Sequence, residues 1–423
     1  MIKEIINFGF LPSESSIIKV LGVGGAGCNA VNHMFAEGIQ GVDFLICNTD
    51  SQALQTSPVP VKIQLGVTLT EGRGAGNMPE HGEQAAIENL EDLRHILGGT
   101  KMLFITAGMG GGTGTGAAPV IARLARELDI LTIAVVTIPS PAEGRRRFQQ
   151  ALEGVEKLKE YVDSMLVVSN EKLHQIYGDL PASKAFKKAD DIIGTAVKGV
   201  AEIITLHGNI NIDFADVHTV MSGSDVFIMG TGIAEGEDRA MNAVHEALES
   251  PLLDSNDIYG TKDILLNMIS GDDEITMGEI GDIIDHLQKK AGQDANIIWG
   301  NGIDPKLGNK ISVTIIATRF NKNPNSLLQP KPQPEEFMLE DPGTPNINLE
   351  DEEETFSGSL FEHVEVRQQS PAGKTKTSGR ATRKRKKSTE LIAEQKQESG
   401  NTESWFLRQF NRFFEDQDDE MGQ

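Results

Sequence analysis

The stretch Gly108-Met109-Gly110-Gly111-Gly112-Thr113-Gly114-Thr115-Gly116 decides how this chain of 423 residues folds. It follows the apolar run Lys101-Met102-Leu103-Phe104-Ile105-Thr106-Ala107 and precedes Ala117-Ala118-Pro119. That triplet reads as a helix start, because a proline in the first turn gives up no intrahelical donor. Six glycines in nine residues carry a large entropic cost of folding, so a plain flexible turn accounts for them poorly. Their backbone N–H groups and two threonine hydroxyls form a nest suited to a polyphosphate. A Walker loop is excluded, since no Gly-Lys-Ser/Thr follows. The chain's Gly-Lys-Thr, Gly373-Lys374-Thr375, lies far away, with Gln368 where the first glycine should stand.

A second glycine cluster lies upstream. Gly22-Val23-Gly24-Gly25-Ala26-Gly27 fits G-x-G-x-x-G between a strand at 17–23 and a helix at 29–37. There the backbone can approach a phosphate at a helix N-terminus. Asp50, beyond the next strand, supplies a plausible ribose carboxylate. Taken alone this loop suggests an NAD-dependent oxidoreductase, but a dinucleotide fold needs only one such fingerprint. Further strands are expected at 42–47, 101–107, 130–137 and 164–169, with a helix at 119–128. Apolar strands separated by helices predict an α/β, Rossmann-like domain with a parallel sheet covered on both faces. Its ligands bind at the carboxyl ends of the strands.

Composition narrows the class. There are 39 basic and 62 acidic side chains, a net charge of -23, and such a balance disfavours nucleic acid as a partner. Two cysteines, Cys28 and Cys47, fit a reducing compartment better than a disulfide scaffold. No apolar stretch reaches the roughly 18 residues of a membrane span, and the N-terminus does not read as a signal peptide. Residues 323–423 hold 13 basic and 20 acidic side chains, leaving 26 and 42 before them. Apolar periodicity stops after the run 311–317. Prolines, an acidic block at 350–354 and a basic block at 383–387 follow, and this composition predicts a disordered linker over 321–401. The basic block reads as solvated linker rather than as a lipid or nucleic-acid patch.

The run Gly110 to Gly116 resembles the signature of the tubulin/FtsZ superfamily of GTPases. Asn48-Thr49-Asp50, Gly74-Ala75-Gly76-Asn77, Glu143-Gly144 with Arg145 to Arg147, and Asn211-Ile212-Asp213-Phe214-Ala215-Asp216 match the family's motifs in order. The resemblance spans residues 16–320. It implies that Gly24, Gly25, Gly27, Gly108, Gly110, Gly111, Gly112, Thr113, Gly114, Thr115 and Gly116 hold the phosphates of GTP or GDP. It also implies that Asn48, Asp50, Ala75, Gly76 and Asn77 line the phosphate and Mg2+ region. Glu143 and Arg147 become ribose and phosphate contacts, although 139–143 lacks the aromatic-flanked sequence common in the family. Asn29, Asn170, Phe186 and Asp190 read the guanine. Phe186 and Asp190 stand four apart on a helix predicted over 184–206, hence on one face. A carboxylate there accepts two guanine N–H donors that adenine does not offer together.

The same resemblance implies that Asn211, Asp213 and Asp216 act on the GTP of the next subunit in a head-to-tail homopolymer. Read without it, an Asp pair in a loop is more often a helix cap. The implied organisation is an extension at 1–15, a GTP-binding domain at 16–183 and a central helix at 184–207. A smaller α+β domain at 208–320 follows, then the linker and a tail at 402–423. The small domain is expected to hold strands at 226–229, 264–269 and 311–316, with helices at 237–249 and 278–289. In the tail, Phe406, Phe410, Phe413 and Phe414 recur at near-helical spacing beside Trp405, Leu407 and Arg408. So short a helix needs a partner. By resemblance it docks into a membrane-tethering adaptor or division regulator, with Trp405, Phe406, Leu407, Arg408 and Phe410 in contact. Direct membrane insertion is the rival, and the acidic end 416–420 disfavours it. The implied setting is the cytoplasm at the mid-cell division site, with membrane contact indirect. A tubulin-like filament that partitions DNA is the remaining alternative.

Overall fold

A computed structural model describes residues 16–205, 208, 210–249 and 258–321. The predicted linker beyond Asn321 and the tail residues Trp405, Phe406, Leu407, Arg408 and Phe410 lie outside the described residues.

Seven strands form one parallel sheet: β1 Ile18–Val23, β2 Asp43–Asn48, β3 Val61–Gln64, β4 Met102–Gly108, β5 Leu131–Ile138, β6 Ser164–Ser169 and β7 Asp225–Val226. Their order is β3-β2-β1-β4-β5-β6-β7, so the winding direction reverses between β1 and β4. In a doubly wound sheet a ligand sits in the crevice at that reversal, beyond the carboxyl ends. Both glycine clusters begin there. The central strands are buried on both faces, which explains their near-continuous apolar sequence.

Two apolar clusters cover the sheet. On one face β1, β4 and β5 pack on helices Gly24–Glu37 and Ala182–Thr205 through Val20, Met34, Phe104, Val135, Ile193 and Val197. The other face buries Leu21, Leu103 and Val136 against Ile121, Leu124 and Val155 from helices Thr113–Glu127 and Arg145–Lys159.

A second sheet, in the order β10-β9-β11-β8, contains β8 Ile228–Ala234, β9 Asp263–Ser270, β10 Asn296–Ile303 and β11 Ile311–Thr318. β10 runs parallel to β9, while β11 is antiparallel to both β9 and β8. Met229, Leu265 and Ile316 from this sheet share a core with the central helix Ala182–Thr205. The helix is thus packed on both sheets.

The strand expected at 226–229 is two strands. Asp225–Val226 pairs with Ser164 and Met165 of the first sheet, and Ile228–Ala234 opens the second. A run of apolar residues does not reveal that the chain changes sheets within it.

Arg239, at the start of helix Arg239–Leu248, has a side chain only 6% exposed. Its Nε donates to Glu279 Oε1 at 2.8 Å and its Nη1 to Asp273 Oδ2 at 2.8 Å. Its remaining donors go to the carbonyls of Asp273, Glu274 and Asn309 and to Glu279 Oε2. The hydrogen bonds from Arg239, with Thr276 adding to them against the opposing effect of burial, hold the Glu279 carboxyl down to about 2. A depressed carboxyl stabilises the fold above its unfolded value and loses that contribution as pH falls through its folded value. This part of the stability is therefore intact above pH 4.5 and gone below about 2. Arg239→Ala removes a buried guanidinium from three backbone carbonyls and from Glu279, which keeps its bonds from Thr276, and is expected to cost about 1–3 kcal/mol in denaturant melts at neutral pH.

Candidate functional site

β1 ends at Val23 and the helix Gly24–Glu37 begins at once. It therefore starts before the expected residue 29, and Gly24, Gly25 and Gly27 form its first turn rather than a separate loop. Gly24 has φ +71°, a left-handed conformation that glycine adopts without strain. The helix Thr113–Glu127 likewise begins six residues before Pro119, which sits in its interior. Only Met109–Gly112 is loop. Two helix N-termini thus converge on one crevice, each presenting unpaired N–H groups and the positive end of its dipole.

A cavity of about 380 Å³ fills the crevice. Gly25, Gly27 and Asn29 line it from the first helix, and Gly108, Gly111, Gly112, Thr113 and Gly114 from the β4 side. Glu143, Arg147, Asn170 and Asp190 complete its polar wall, with apolar contributions from Ala189 and Ile193. Asp190 reaches it from the third turn of helix Ala182–Thr205, and Asn170 from the start of helix Asn170–Tyr177. Phe186 lies on the former helix, and its side chain is outside what is described. Burial pushes the Asp190 carboxyl up to about 6, with His33 opposing the rise and Asp191 adding to it.

Other expected residues stand beside the cavity. Thr49 Oγ1 and Thr113 Oγ1 lie 2.6 Å apart, tying the segment 48–50 to the glycine run after β4. Asn48 Oδ1 accepts from Asp50 N at 3.3 Å. Asp50 caps helix Ser51–Thr56, its Oδ1 accepting from the N–H groups of Gln52 and Ala53. Ala75 is buried, Gly76 and Asn77 have left-handed φ, and Asn77 faces a neighbouring cleft instead. Gly110 and Thr115 are tied together, Gly110 N donating to Thr115 Oγ1 at 2.9 Å. Gly116 serves packing, since a Cβ there would collide with the Pro79 carbonyl of helix Pro79–Glu88.

Glu143 and Asn170 meet directly. Glu143 Oε1 accepts from Asn170 Nδ2 and from Ser140 N, each at 3.0 Å, and Arg147 Nη1 lies 3.7 Å from its other oxygen. Ser140 in turn donates to Glu171, a partner that sequence reasoning missed. The only clue to it was the register of β5 against β6, which brings their ends together.

Asn211, Asp213 and Asp216 are not part of this cavity's lining. They surround the start of helix Phe214–Met221 as a reciprocal capping box: Asp216 N donates to Asp213 Oδ1 at 2.9 Å, and Asp213 N to Asp216 Oδ2 at 3.2 Å. Asn211 Oδ1 accepts from Gly208 N at 2.6 Å. The capping role expected of an isolated Asp pair is present, and Asp213 and Asn211 remain exposed.

Comparison with known proteins agrees with this architecture. The family model for the Tubulin/FtsZ family, GTPase domain, matches residues 17–178, and that for the FtsZ family, C-terminal domain, matches 225–321. The cell division protein FtsZ of Porphyromonas gingivalis is 49% identical over 322 residues, which cover 75% of this chain and 70% of that protein. Its counterpart in Azotobacter vinelandii is 49% identical over 306 residues, 72% of this chain and 77% of that one. A solved FtsZ dimer from M. jannaschii superposes with a TM-score of 0.67 at 42% identity, covering 72% of this chain and 88% of that one. The NAD reading, which rested on Gly22 to Gly27 alone, is set aside. Two glycine-lined helix starts at one switch point, a small second sheet and these matches place the chain in the FtsZ family of tubulin-like GTPases.

Proposed function

We propose that this polymerising cell-division GTPase binds GTP in the crevice between β1 and β4 and hydrolyses it only once a second subunit supplies Asn211, Asp213 and Asp216. The observation that carries the reading is a division of parts. The groups suited to holding a nucleotide line one cavity, while the acidic loop suited to positioning water lies outside it. Gly25, Gly27 and Gly111 to Gly114 cradle the phosphates with N–H groups and helix dipoles. Asp190 and Asn29 accept and donate at the guanine edge, Phe186 stacks on it, and Asn170, Glu143 and Arg147 border the ribose and α-phosphate.

Mg2+ fits the oxygen donors present. The ion keeps most of its waters and takes one or two protein oxygens beside substrate phosphates. The hydroxyls of Thr49 and Thr113 are such donors, and the Asp50 carboxylate, which caps the next helix, follows Thr49 in the chain. When bound, the ion neutralises charge on the β- and γ-phosphates.

Phosphoryl transfer depends mainly on positioning and charge stabilisation. The capping box holds the Asp213 and Asp216 carboxylates in place, so a partner's water would meet acceptors of fixed orientation. These acceptors draw its protons while its oxygen attacks the γ-phosphorus and GDP leaves. Head-to-tail contacts do not close, and filaments result. The remaining assignments follow the family resemblance: a tail that docks to adaptors and regulators, and a place at the mid-cell division site. Phosphate release per subunit is expected to rise at least about tenfold across the assembly threshold, tracking sedimentable polymer. A specific activity independent of concentration would overturn the shared-site reading.

A further inference from the structure

Two cavities flank the phosphate loop. Gly111 and Gly112 line the nucleotide crevice, whereas Gln150, on helix Arg145–Lys159, lines a separate cleft of about 710 Å³ behind the loop. From that side Gln150 Nε2 reaches the Gly111 carbonyl at 3.1 Å, the Gly110 carbonyl at 3.2 Å and the Asn77 carbonyl at 3.5 Å. The reverse amide orientation would set an oxygen against three oxygens, so the donor faces the loop.

The consequence follows from peptide geometry. In a planar trans peptide the C=O and the next N–H point in opposite directions. Drawing the Gly110 and Gly111 carbonyls toward Gln150 therefore turns the N–H groups of Gly111 and Gly112 the other way, toward the crevice. Among the described residues neither N–H has a hydrogen-bond partner, whereas that of Gly110 is bound to Thr115. Gly110 and Gly112 are closely hemmed in, by Arg147 and Pro139 and by Ala75 and Met78, but Gly111 between them meets nothing within 4 Å of a Cβ position. Packing thus leaves the middle residue, which both peptide planes share, to be held by hydrogen bonds, and the same amide also touches the neighbouring segment at Asn77.

We infer that Gln150 is a positioning residue that sets the peptide planes of the phosphate loop so that the Gly111 and Gly112 N–H groups face the terminal phosphates. This rests on reading the loop as the phosphate cradle. It goes beyond that reading by naming a side chain on the far face that presents the cradle. Charge-assisted hydrogen bonds to phosphate are about twice as strong as neutral ones, so misdirecting two of them affects polyphosphates most.

The test is a competition titration of full-length protein, kept below its assembly concentration, with GTP and GMP against a fluorescent guanine nucleotide. Gln150→Glu removes the donors and puts a carboxylate against the carbonyls. It is expected to weaken GTP about tenfold and GMP less than about twofold, with an unchanged thermal midpoint. Gln150→Lys keeps a donor at the same carbonyls and should bind GTP within about threefold of wild type. Wild-type GTP affinity in Gln150→Glu, or equal losses for GTP and GMP, would overturn the inference. Failure of the wild-type chain itself to bind GTP would overturn the cradle reading on which it stands.

Discussion

Asp216→Asn is expected to bind GTP like wild type, to assemble, and to lose turnover about a hundredfold. The substitution separates the capping role that the structure shows from the proposed role of positioning water. As the N3 member of the capping box, Asp216 needs only an oxygen that accepts the Asp213 N–H, and an asparagine carbonyl provides that. As a group that polarises water it needs its charge, which asparagine lacks. Were capping its whole purpose, Asp216→Asn would hydrolyse GTP normally, and Asp216→Ala would cost only about 1 kcal/mol of stability. Neither variant touches the nucleotide cavity of its own chain, so both should retain GTP affinity. Polymer formed by either should outlast wild-type polymer at equal GTP, because the step that yields GDP is slowed. Phosphate release and sedimentation on the same samples check this. Full turnover in Asp216→Asn would remove the acidic loop from catalysis.

The sheet was legible because its strands are buried on both faces and read as apolar runs. The helix starts were not. Residues 113–118 hold glycines and threonines of poor helix propensity, and Pro119 looked like a first-turn residue. Tertiary packing overrides propensity there. Gly112 and Gly116 let the helix Pro79–Glu88 approach closely, where any Cβ would meet Met78 or Pro79. Part of the glycine run thus serves helix packing, while another part lines the crevice. Composition alone cannot divide those duties.

The site was legible in unequal parts. Gly111 to Gly114 were accessible from the glycine motif and Asp190 from the family resemblance, and all of them line the crevice. Ser140, Glu171 and Gln150 were not, since they act through hydrogen bonds between segments 31 to 73 residues apart. No local pattern marks a side chain whose partner is a carbonyl on another element. Asp50 shows the opposite problem. Its position suited a ribose carboxylate, yet one of its oxygens is committed to capping the next helix.

With Asp190 proposed to read the guanine, GTP binding is expected to weaken in acid, and the direction follows from the surroundings of the carboxyl. Its carboxyl titrates at about 6, raised chiefly by burial and further by Asp191, with His33 opposing. A raised carboxyl means that the folded chain holds a proton the unfolded chain would release above pH 3.8. That stabilising term is present at low pH and disappears as pH climbs toward 6. Guanine binding runs the other way, because its two N–H donors need an ionised acceptor, and a protonated carboxyl presents a donor instead. Nucleotide must therefore displace the proton. The apparent dissociation constant should be nearly flat above pH 7 and rise about tenfold by pH 5, one unit below the carboxyl's midpoint. Asp190→Asn should bind weakly at both values and lose the slope, and adenine nucleotides should show none. Isothermal titration at pH 5 and pH 7 in two buffers of different ionisation enthalpy measures the proton released directly. Equal affinity at the two pH values with no buffer dependence would mean that Asp190 does not read the base, and guanine selection would then fall to Asn29 and Asn170.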